Sequence, residues 1–390
     1  MLNSMNKSEL KKSTLFLLLA FFLFNSCDEK STTTFKKDES TNLDEKLNPK
    51  VIELMEEFKI TGAGIGYIEN GVLVKTEYYG EQGPNTPVTD STMFNVASVT
   101  KAVTSELFLR LAAKGEVSLD EPISDYYVYA DIVNDQRHKL LTPRIILTHR
   151  TGFKNWPYEY EDGKLAFENE PRTTFGYSGI GFYILARFLE EKMSSTFPHL
   201  VNENIFEPLK MSNSSIVIES WFENKRPIPV DNEGKYMKPY DLNIGYWNPA
   251  DELHISVEDY SKFLISSMNN EGLSNDLVTE REKVLSDLTN DPIFGTDEST
   301  KNVFYPPSYG YGLGWMVFDY GDGNKNIQHG GNDKGEAAMG YFHTKTKNGL
   351  IVFLNGGNGA FMLPRIVELL DEEQKYTSVY NYIFEKFYSN

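Results

Sequence analysis

A single cysteine, Cys27, in 390 residues leaves nothing for it to pair with, so a disulfide framework is excluded and the core must hold the fold together. The longest apolar run, Leu15 to Phe24, is too short to cross a bilayer comfortably as a mature helix. Basic residues are in deficit. With 38 Lys and Arg against 56 Asp and Glu, the formal net charge is −18. This argues against a nucleic-acid partner, against electrostatic docking on anionic lipid and, unless a local basic pocket intervenes, against strongly acidic substrates. The six histidines, His138, His149, His199, His254, His329 and His343, show neither i, i+4 nor His-x-His spacing, so no metal is expected, and no cofactor. Gly62-Ala63-Gly64-Ile65-Gly66 lacks the last glycine of a dinucleotide-binding pattern, because Tyr67 follows. No internal repeat is evident.

What is present begins with Lys7, Lys11 and Lys12, the apolar run, and Asn25-Ser26-Cys27, which together read as a secretory leader over residues 1–26. The cysteine at the expected cleavage point resembles the lipid-attachment box of bacterial lipoproteins. That resemblance implies a lipid on Cys27 and a cell-envelope location, membrane-held through the N-terminal anchor; a secreted protein with a spare thiol is the alternative. Residues 27–48 are polar, with almost nothing to bury, and read as a flexible tether. Residues 49–390 exceed a typical single domain and suggest one large core carrying an inserted subdomain, or two domains.

Periodicity predicts a helix around Val51 to Phe58, then two strands, Gly62 to Tyr67 and Val72 to Tyr79, joined by the hairpin dipeptide Asn70-Gly71. A helix follows over Val99 to Lys114, stopped by Gly115. The region of roughly 120–300 reads as mostly helical, with clear repeats at Ile180 to Met193 and Val257 to Met268. Strands return at Gly314 to Asp319, Ala337 to His343 and Leu350 to Asn355, before a final helical run from Leu363 to Phe387. Strands at both ends around a helical middle predict an α/β protein of the α+β type, with one antiparallel sheet built from both chain ends, flanked by helices and interrupted by a helical subdomain. A cleft is expected at the seam.

Ser98-Val99-Thr100-Lys101 sets a hydroxyl and an amine three positions apart at the start of the predicted helix, where they become surface neighbours. The spacing alone is weak, since Ser4 to Lys7 and Ser8 to Lys11 repeat it within the leader. At a helix start the serine feels the positive end of the dipole, which favours negative charge developing beside it. Serine is equally at home there as an N-cap. Gly176-Tyr177-Ser178-Gly179-Ile180 approaches the Gly-x-Ser-x-Gly nucleophile elbow, but Ile180 replaces the last glycine and no strand clearly precedes it.

Taken with Phe94 to Lys101, the blocks Gly115 to Asp120, Ile146-Leu147-Thr148-His149-Arg150-Thr151-Gly152, Phe175 to Gly179, Ile205 to Leu209, Tyr311-Gly312-Leu313-Gly314-Trp315 and His329-Gly330-Gly331 occur in a family-like order. The chain thereby resembles the serine β-lactamase and penicillin-binding-protein superfamily, closest to its class C-like serine hydrolase branch. The resemblance implies a β-lactamase/transpeptidase-like fold and a small ester, amide or peptide as substrate. It implies Ser98 as the acylated nucleophile and Lys101 and Tyr177 as its activators. Unshifted Lys and Tyr titrate near 10.4 and about 10, so either a buried neutral Lys101 or a Tyr177 phenolate beside a charged Lys101 must serve as base. The two schemes demand opposite protonation of Lys101.

His329-Gly330-Gly331 corresponds to the family's Lys-Thr-Gly strand motif, so these residues are expected at the substrate, with two glycines letting backbone approach the acyl group. The implied oxyanion hole is the backbone N–H of Ser98 and that of Asn332. One departure stands out. The family's Tyr-x-Asn motif is here Tyr177-Ser178-Gly179, which removes an amide from the substrate side of the site. That argues for a carboxylesterase or peptidase relative; an inactive peptidoglycan- or peptide-binding module and a β-lactamase are the alternatives. His149 is expected to serve a structural hydrogen bond. Trp156, Tyr158, Tyr160, Tyr246, Trp247, Tyr305 and Tyr309 flank the motifs as packing or pocket-lining aromatics.

Overall fold

The computed structural model describes residues 48–238, 243–289 and 306–371. The leader, Cys27, most of the tether, Tyr305 and residues 372–390 lie outside the described residues; of the helical run predicted from Leu363, the described part stops at Leu370, where Asp371 is extended.

Helix α1 (Pro49–Phe58) starts on Asn48, whose side-chain oxygen accepts the Lys50 N–H, and buries Val51, Met55 and Phe58 along one stripe. Strands β1 (Gly62–Glu69) and β2 (Val72–Gly83) form the expected hairpin. Asn70 and Gly71 both take positive φ, 49° and 78°, the conformation this dipeptide favours in a two-residue turn. After β3 (Thr86–Pro87) and β4 (Phe94–Asn95), a 3-10 turn over Ala97–Val99 leads into α2 (Thr100–Ala113). The middle of the chain carries α3 (Pro143–Leu147), α4 (Gly179–Met193), α5 (Phe197–Val201), β5 (Ser214–Ser215), β6 (His254–Ile255), α6 (Val257–Met268), α7 (Asn275–Arg281) and β7 (Ser286–Asp287). It closes with β8 (Ser308–Tyr311), β9 (Met316–Asp319), β10 (Lys325–Asp333), β11 (Glu336–His343), β12 (Gly349–Asn355) and α8 (Gly359–Leu370).

All neighbours in the large sheet are antiparallel, in the order β3-β2-β1-β12-β11-β10-β9-β8-β7. The N-terminal hairpin and the C-terminal strands meet inside it, at its third and fourth strands, where Gly62 faces Asn355 and Ile68 faces Gly349. Both faces are covered, and β12 shows how: Leu350, Val352 and Leu354 join the cluster under α1 and α8, while Ile351 and Phe353 join the larger core with α2, α4 and α6. The glycines of β1 belong to the second face. A Cβ at Gly64 or Gly66 would come within 2.8 Å of a Val257 methyl, so this Gly-x-Gly run lets α6 lie close to the sheet.

The structure adds strands to the expected plan and moves one boundary. The middle of the chain, read as mostly helical, also carries short strands: β5 and β6 build a second, three-stranded sheet with β4, and β7 extends the large one; two-residue strands leave no periodic trace. The strand predicted from Gly314 begins only at Met316, since Gly314 turns at φ 76° and donates its N–H to Leu147. Strand β10 escaped the periodicity reading because only Ile327 in Lys325–Asp333 is strongly apolar. No helix among the described residues is long and apolar enough to cross a membrane.

Helix α2 is pinned from within. Fully buried Glu106 accepts from Arg281 Nη1 and Trp315 Nε1, both at 3.0 Å. Removing one member of such a buried pair costs about 3–5 kcal/mol, because the other is left uncompensated.

Candidate active site

Ser98 lies in the tight turn ahead of α2. The Ala97 N–H is held by Asn95 Oδ1 at 2.8 Å, and Ala97 itself takes φ 45°, a left-handed conformation costing a residue with a Cβ about 1–2 kcal/mol. Backbone strain of this kind persists where the surroundings over-determine it. Thr100 supplies part of that constraint, donating to the Ala97 carbonyl at 2.6 Å and accepting the Leu253 N–H at 3.0 Å. No side chain caps α2, so the N-cap reading of Ser98 does not hold. Its Oγ instead accepts a hydrogen bond from Lys101 Nζ at 3.0 Å.

Lys101, 1 % exposed, also donates to the Ala250 carbonyl at 2.9 Å, and Thr104, one turn on, donates to the Pro249 carbonyl at 2.6 Å. Three α2 side chains therefore fasten the 249–253 segment to the nucleophile turn. That segment carries Asp251 and Glu252, which the sequence reading missed: two acidic residues in an aperiodic stretch look like a solvated loop. Burial depresses the Lys101 ammonium to about 7, against the opposing pull of Asp251. Burial raises the Asp251 carboxyl to about 6, with Lys101 pulling it down and Asp333 pushing it up.

Tyr177 packs its ring against Lys101 Nζ, 4.8 Å from the ring centroid, and stacks on His149 at 4.3 Å. Its hydroxyl is buried and makes no hydrogen bond of normal geometry among the described residues. Burial raises its pKa, so the phenol keeps its proton; the nearby Ser98 hydroxyl acts in the opposite direction. His149 has the structural role expected of it, accepting the Ser178 N–H on Nδ1 at 3.1 Å. Burial keeps that imidazole neutral. Ser178 is a helix cap. Its Oγ accepts the Gly181 N–H and donates to the Lys154 carbonyl, so the elbow reading has no nucleophile to offer.

Strand β10 approaches from the other side. Its register with β9 ends at Gln328, whereas pairing with β11 runs on to Asp333, so residues 329–333 present a free edge to the Ala97–Val99 turn. A Cβ on Gly331 would lie 2.1 Å from the Val96 carbonyl oxygen and 2.9 Å from Ser98 N. At Gly330 the nearest atom would be 3.8 Å away. Packing thus demands only one of the two glycines, and it is strand against turn, not strand against substrate, that demands it. His329 is 1 % exposed, donates from Nδ1 to the Gly330 carbonyl at 2.7 Å, and is lowered to about 3 by burial and then by Lys101. Of the residues expected at the substrate in this motif, Gly330 is partly exposed, as is the neighbouring Asn332, whereas the neutral His329 is buried and not open to one. Gly331→Ala is expected to displace the Ser98 N–H and, on the oxyanion role that the resemblance implies for that group, to lower ester kcat/KM by about 100-fold or more. Steady-state kinetics beside a thermal melt checks it.

The space left by the departed asparagine is filled. A Cβ on Gly179 would lie 2.5 Å from Trp156 Cζ2 and 2.6 Å from Cη2, while the Gly179 N–H is held by Asn155 Oδ1 at 2.7 Å. Among the other flanking aromatics, Trp247 stacks on Tyr183 and Phe197, Tyr160 and Tyr309 are buried, and Tyr158 is 76 % exposed. No group of three or more His, Cys, Asp or Glu among the described residues is arranged to hold a metal.

Known proteins share this architecture. The penicillin-binding protein homologue of Pyrococcus abyssi, described as octameric, superposes with a TM-score of 0.67 at 20% identity, covering 84% of this chain and 77% of that one. The D-alanine carboxypeptidase AmpC of Burkholderia cenocepacia gives 0.64 at 18% identity, over 83% and 97%. A class C β-lactamase gives 0.65 at 17%, over 83% and 95%. In sequence, β-lactamase-like protein 4 of Dictyostelium discoideum is 27% identical over 271 residues, 62% of this chain and 46% of its own length. Protein flp of Staphylococcus aureus (strain NCTC 8325 / PS 47) is 20% identical over 333 residues, 80% and 63%. The chain thus spans roughly half to two-thirds of these curated relatives. The family model described as Beta-lactamase matches residues 47–372, from α1 through α8, and the chain therefore belongs to the β-lactamase family.

Proposed function

We propose that this protein is a serine hydrolase that cleaves an ester or amide through an acyl-enzyme on Ser98. The observation that carries the reading is the 3.0 Å contact from Lys101 Nζ to Ser98 Oγ, made where burial favours the neutral amine. The two base schemes are no longer equal. Burial disfavours both a Tyr177 phenolate and a Lys101 ammonium, which supports neutral Lys101 as base and a protonated Tyr177 as proton carrier.

In this scheme Ser98 Oγ attacks the carbonyl carbon and its proton passes to Lys101 Nζ. The tetrahedral oxyanion is stabilised by the N–H groups of Ser98 and Asn332. As the intermediate collapses, the leaving oxygen or nitrogen takes a proton from Tyr177, which is refilled from Lys101. Water then attacks the acyl group, passing its proton back along the same groups, and Ser98 is freed.

The test is a panel of p-nitrophenyl acetate, a D-alanyl anilide and a chromogenic cephalosporin. Expected is turnover of the ester or the anilide, with the cephalosporin slow; fast cephalosporin turnover would make this a β-lactamase, and no turnover beside an unreactive Ser98 would make it a binding module. The indole of Trp156 opposes the β-lactamase reading, because it fills the position of the amide that would hold an acylamino side chain. Gly179→Asn alone is therefore expected to lower thermal stability without raising cephalosporin turnover. Paired with Trp156→Ala it regains both the space and the amide, and turnover rises by about tenfold, or 1.4 kcal/mol. A rise from the single change would remove Trp156 from the account.

We further propose that the protein is exported and lipid-anchored through Cys27, a reading supported by the charged and apolar leader. Cys27→Ser should move it from the membrane fraction to the soluble fraction on cell fractionation.

A further inference from the structure

Asp251 has an unusual position for an acid. It follows Ala250, whose carbonyl holds Lys101 Nζ, and its charge acts on Lys101, Tyr177 and Tyr158. Its Oδ1 is cut off from solvent and has no hydrogen-bond partner among the described residues. Asp333, next to Asn332 at the exposed end of β10, acts on the same Asp251 and the same Tyr158. Tyr158 is a largely exposed ring within the field of both carboxylates. Glu252 and Glu336 have a different counter-charge, since Arg226 acts on each of them. The cation acting on Asp251 is Lys101, and the proposed attack requires Lys101 to be unprotonated. With Lys101 unprotonated, the charge that lowers Asp251 is withdrawn, so this unpartnered carboxyl holds its negative charge only where a cationic group is brought beside it. Where penicillin-recognising relatives carry lysine, the neutral His329 offers no charge to a substrate carboxylate.

We propose that the cleft selects a substrate with a positively charged nitrogen near the scissile carbonyl, with Asp251 and Asp333 as its counter-charges and Tyr158 as an aromatic surface beside it. This deepens the Ser98 reading and rests on it. The chemistry is a charge-assisted contact to carboxylate together with a cation–π contact to a phenol ring. The nitrogen belongs either to the acyl part, as in an aminoacyl amide, or to the leaving part, as in an ester of a quaternary amino alcohol. A carboxylate at the same place is repelled.

The test uses the full chain at pH 7 with two matched pairs. Alanine p-nitroanilide against its N-acetyl form reads the acyl side. Acetylthiocholine against S-(3,3-dimethylbutyl) thioacetate, its uncharged isostere, reads the leaving side. The expected result is a preference of about tenfold or more in kcat/KM for the cationic member of one pair, falling to within about threefold in Asp251→Asn and in Asp333→Asn. The neutral member, measured in the same variants, separates loss of charge recognition from general damage. Equal or better turnover of the neutral members, or a preference unmoved in both variants, overturns the proposal. Labelling of Ser98 by a fluorophosphonate keeps the two readings apart: a labelled, ester-cleaving enzyme without cation preference refutes this proposal alone. If nothing turns over, calorimetric binding of phenyltrimethylammonium decides it, with affinity lost in Asp251→Asn in support and no binding against.

Discussion

Alanine at position 98 is expected to abolish covalent labelling by a fluorophosphonate and to lower ester kcat/KM by about 10⁴-fold or more. The size follows from what the change removes. Ser98 Oγ is the only atom in the scheme that forms the acyl bond, and without it the site retains binding and the oxyanion donors but has no route through an acyl-enzyme. The fold should tolerate the change. Ser98 caps no helix, its turn is held by Asn95 and Thr100, and its hydroxyl meets the polar groups of the site, Lys101 and Tyr177, and among the described residues supports no other element. A variant that melts like the parent yet neither labels nor turns over is the expected outcome. Labelling that survives would place the nucleophile elsewhere.

Lys101→Met is expected to cost about 10³-fold or more in the same assay, and the pH profile of the parent carries the reason. The ordinary lysine value of 10.5 is brought down to about 7 by burial, with Asp251 opposing. His149 and His329 face the same amine as neutral rings, and Tyr177 as a protonated phenol. The reactive form is the unprotonated one. Ester kcat/KM should therefore rise with pH through about 7 and level above it; a rise delayed to the ordinary lysine range would support a charged Lys101 and a phenolate base.

Stability follows with its own sign. The unfolded chain holds this proton more tightly than the folded one, so the amine penalises the fold fully below about pH 7, and the penalty fades as pH rises toward 10.5. Methionine removes that penalty, on the order of a few kcal/mol, and gives back about 1–3 kcal/mol by orphaning the Ala250 carbonyl. At pH 6 the variant should be inactive and at least as stable as the parent, as judged by its thermal midpoint.

Much of this arrangement was legible in the order of residues, and the reasons differ from part to part. Asn70-Gly71 and the period-3.6 runs at Ile180 to Met193 and Val257 to Met268 declare a hairpin and two helices, because local backbone preference and the burial of one face agree there. Ser98 and Lys101 are neighbours through their spacing of three, carried by the 3-10 turn over Ala97–Val99 running into α2. Tyr177 was reachable only through the family's ordered motifs, since an isolated tyrosine is more often packing. Asp251 carries no such mark. What brings it to the site is a set of long-range bonds from Thr100, Lys101 and Thr104 to a segment about 150 residues away, and no local pattern encodes a carbonyl acceptor. The Gly179 departure was visible as a missing amide, but the indole filling its place comes from a loop 23 positions earlier. The two-residue strands β4 to β7 are too short to have a period at all.

Acid-quenching the reaction with p-nitrophenyl acetate during its first turnover, and mapping the acetyl group by peptide mass analysis, tests the core of this account most directly. The account predicts acetyl on the peptide containing Ser98, absent from Lys101→Met quenched at the same time. Acetyl on another residue, or steady hydrolysis with Ser98 never modified, would contradict it.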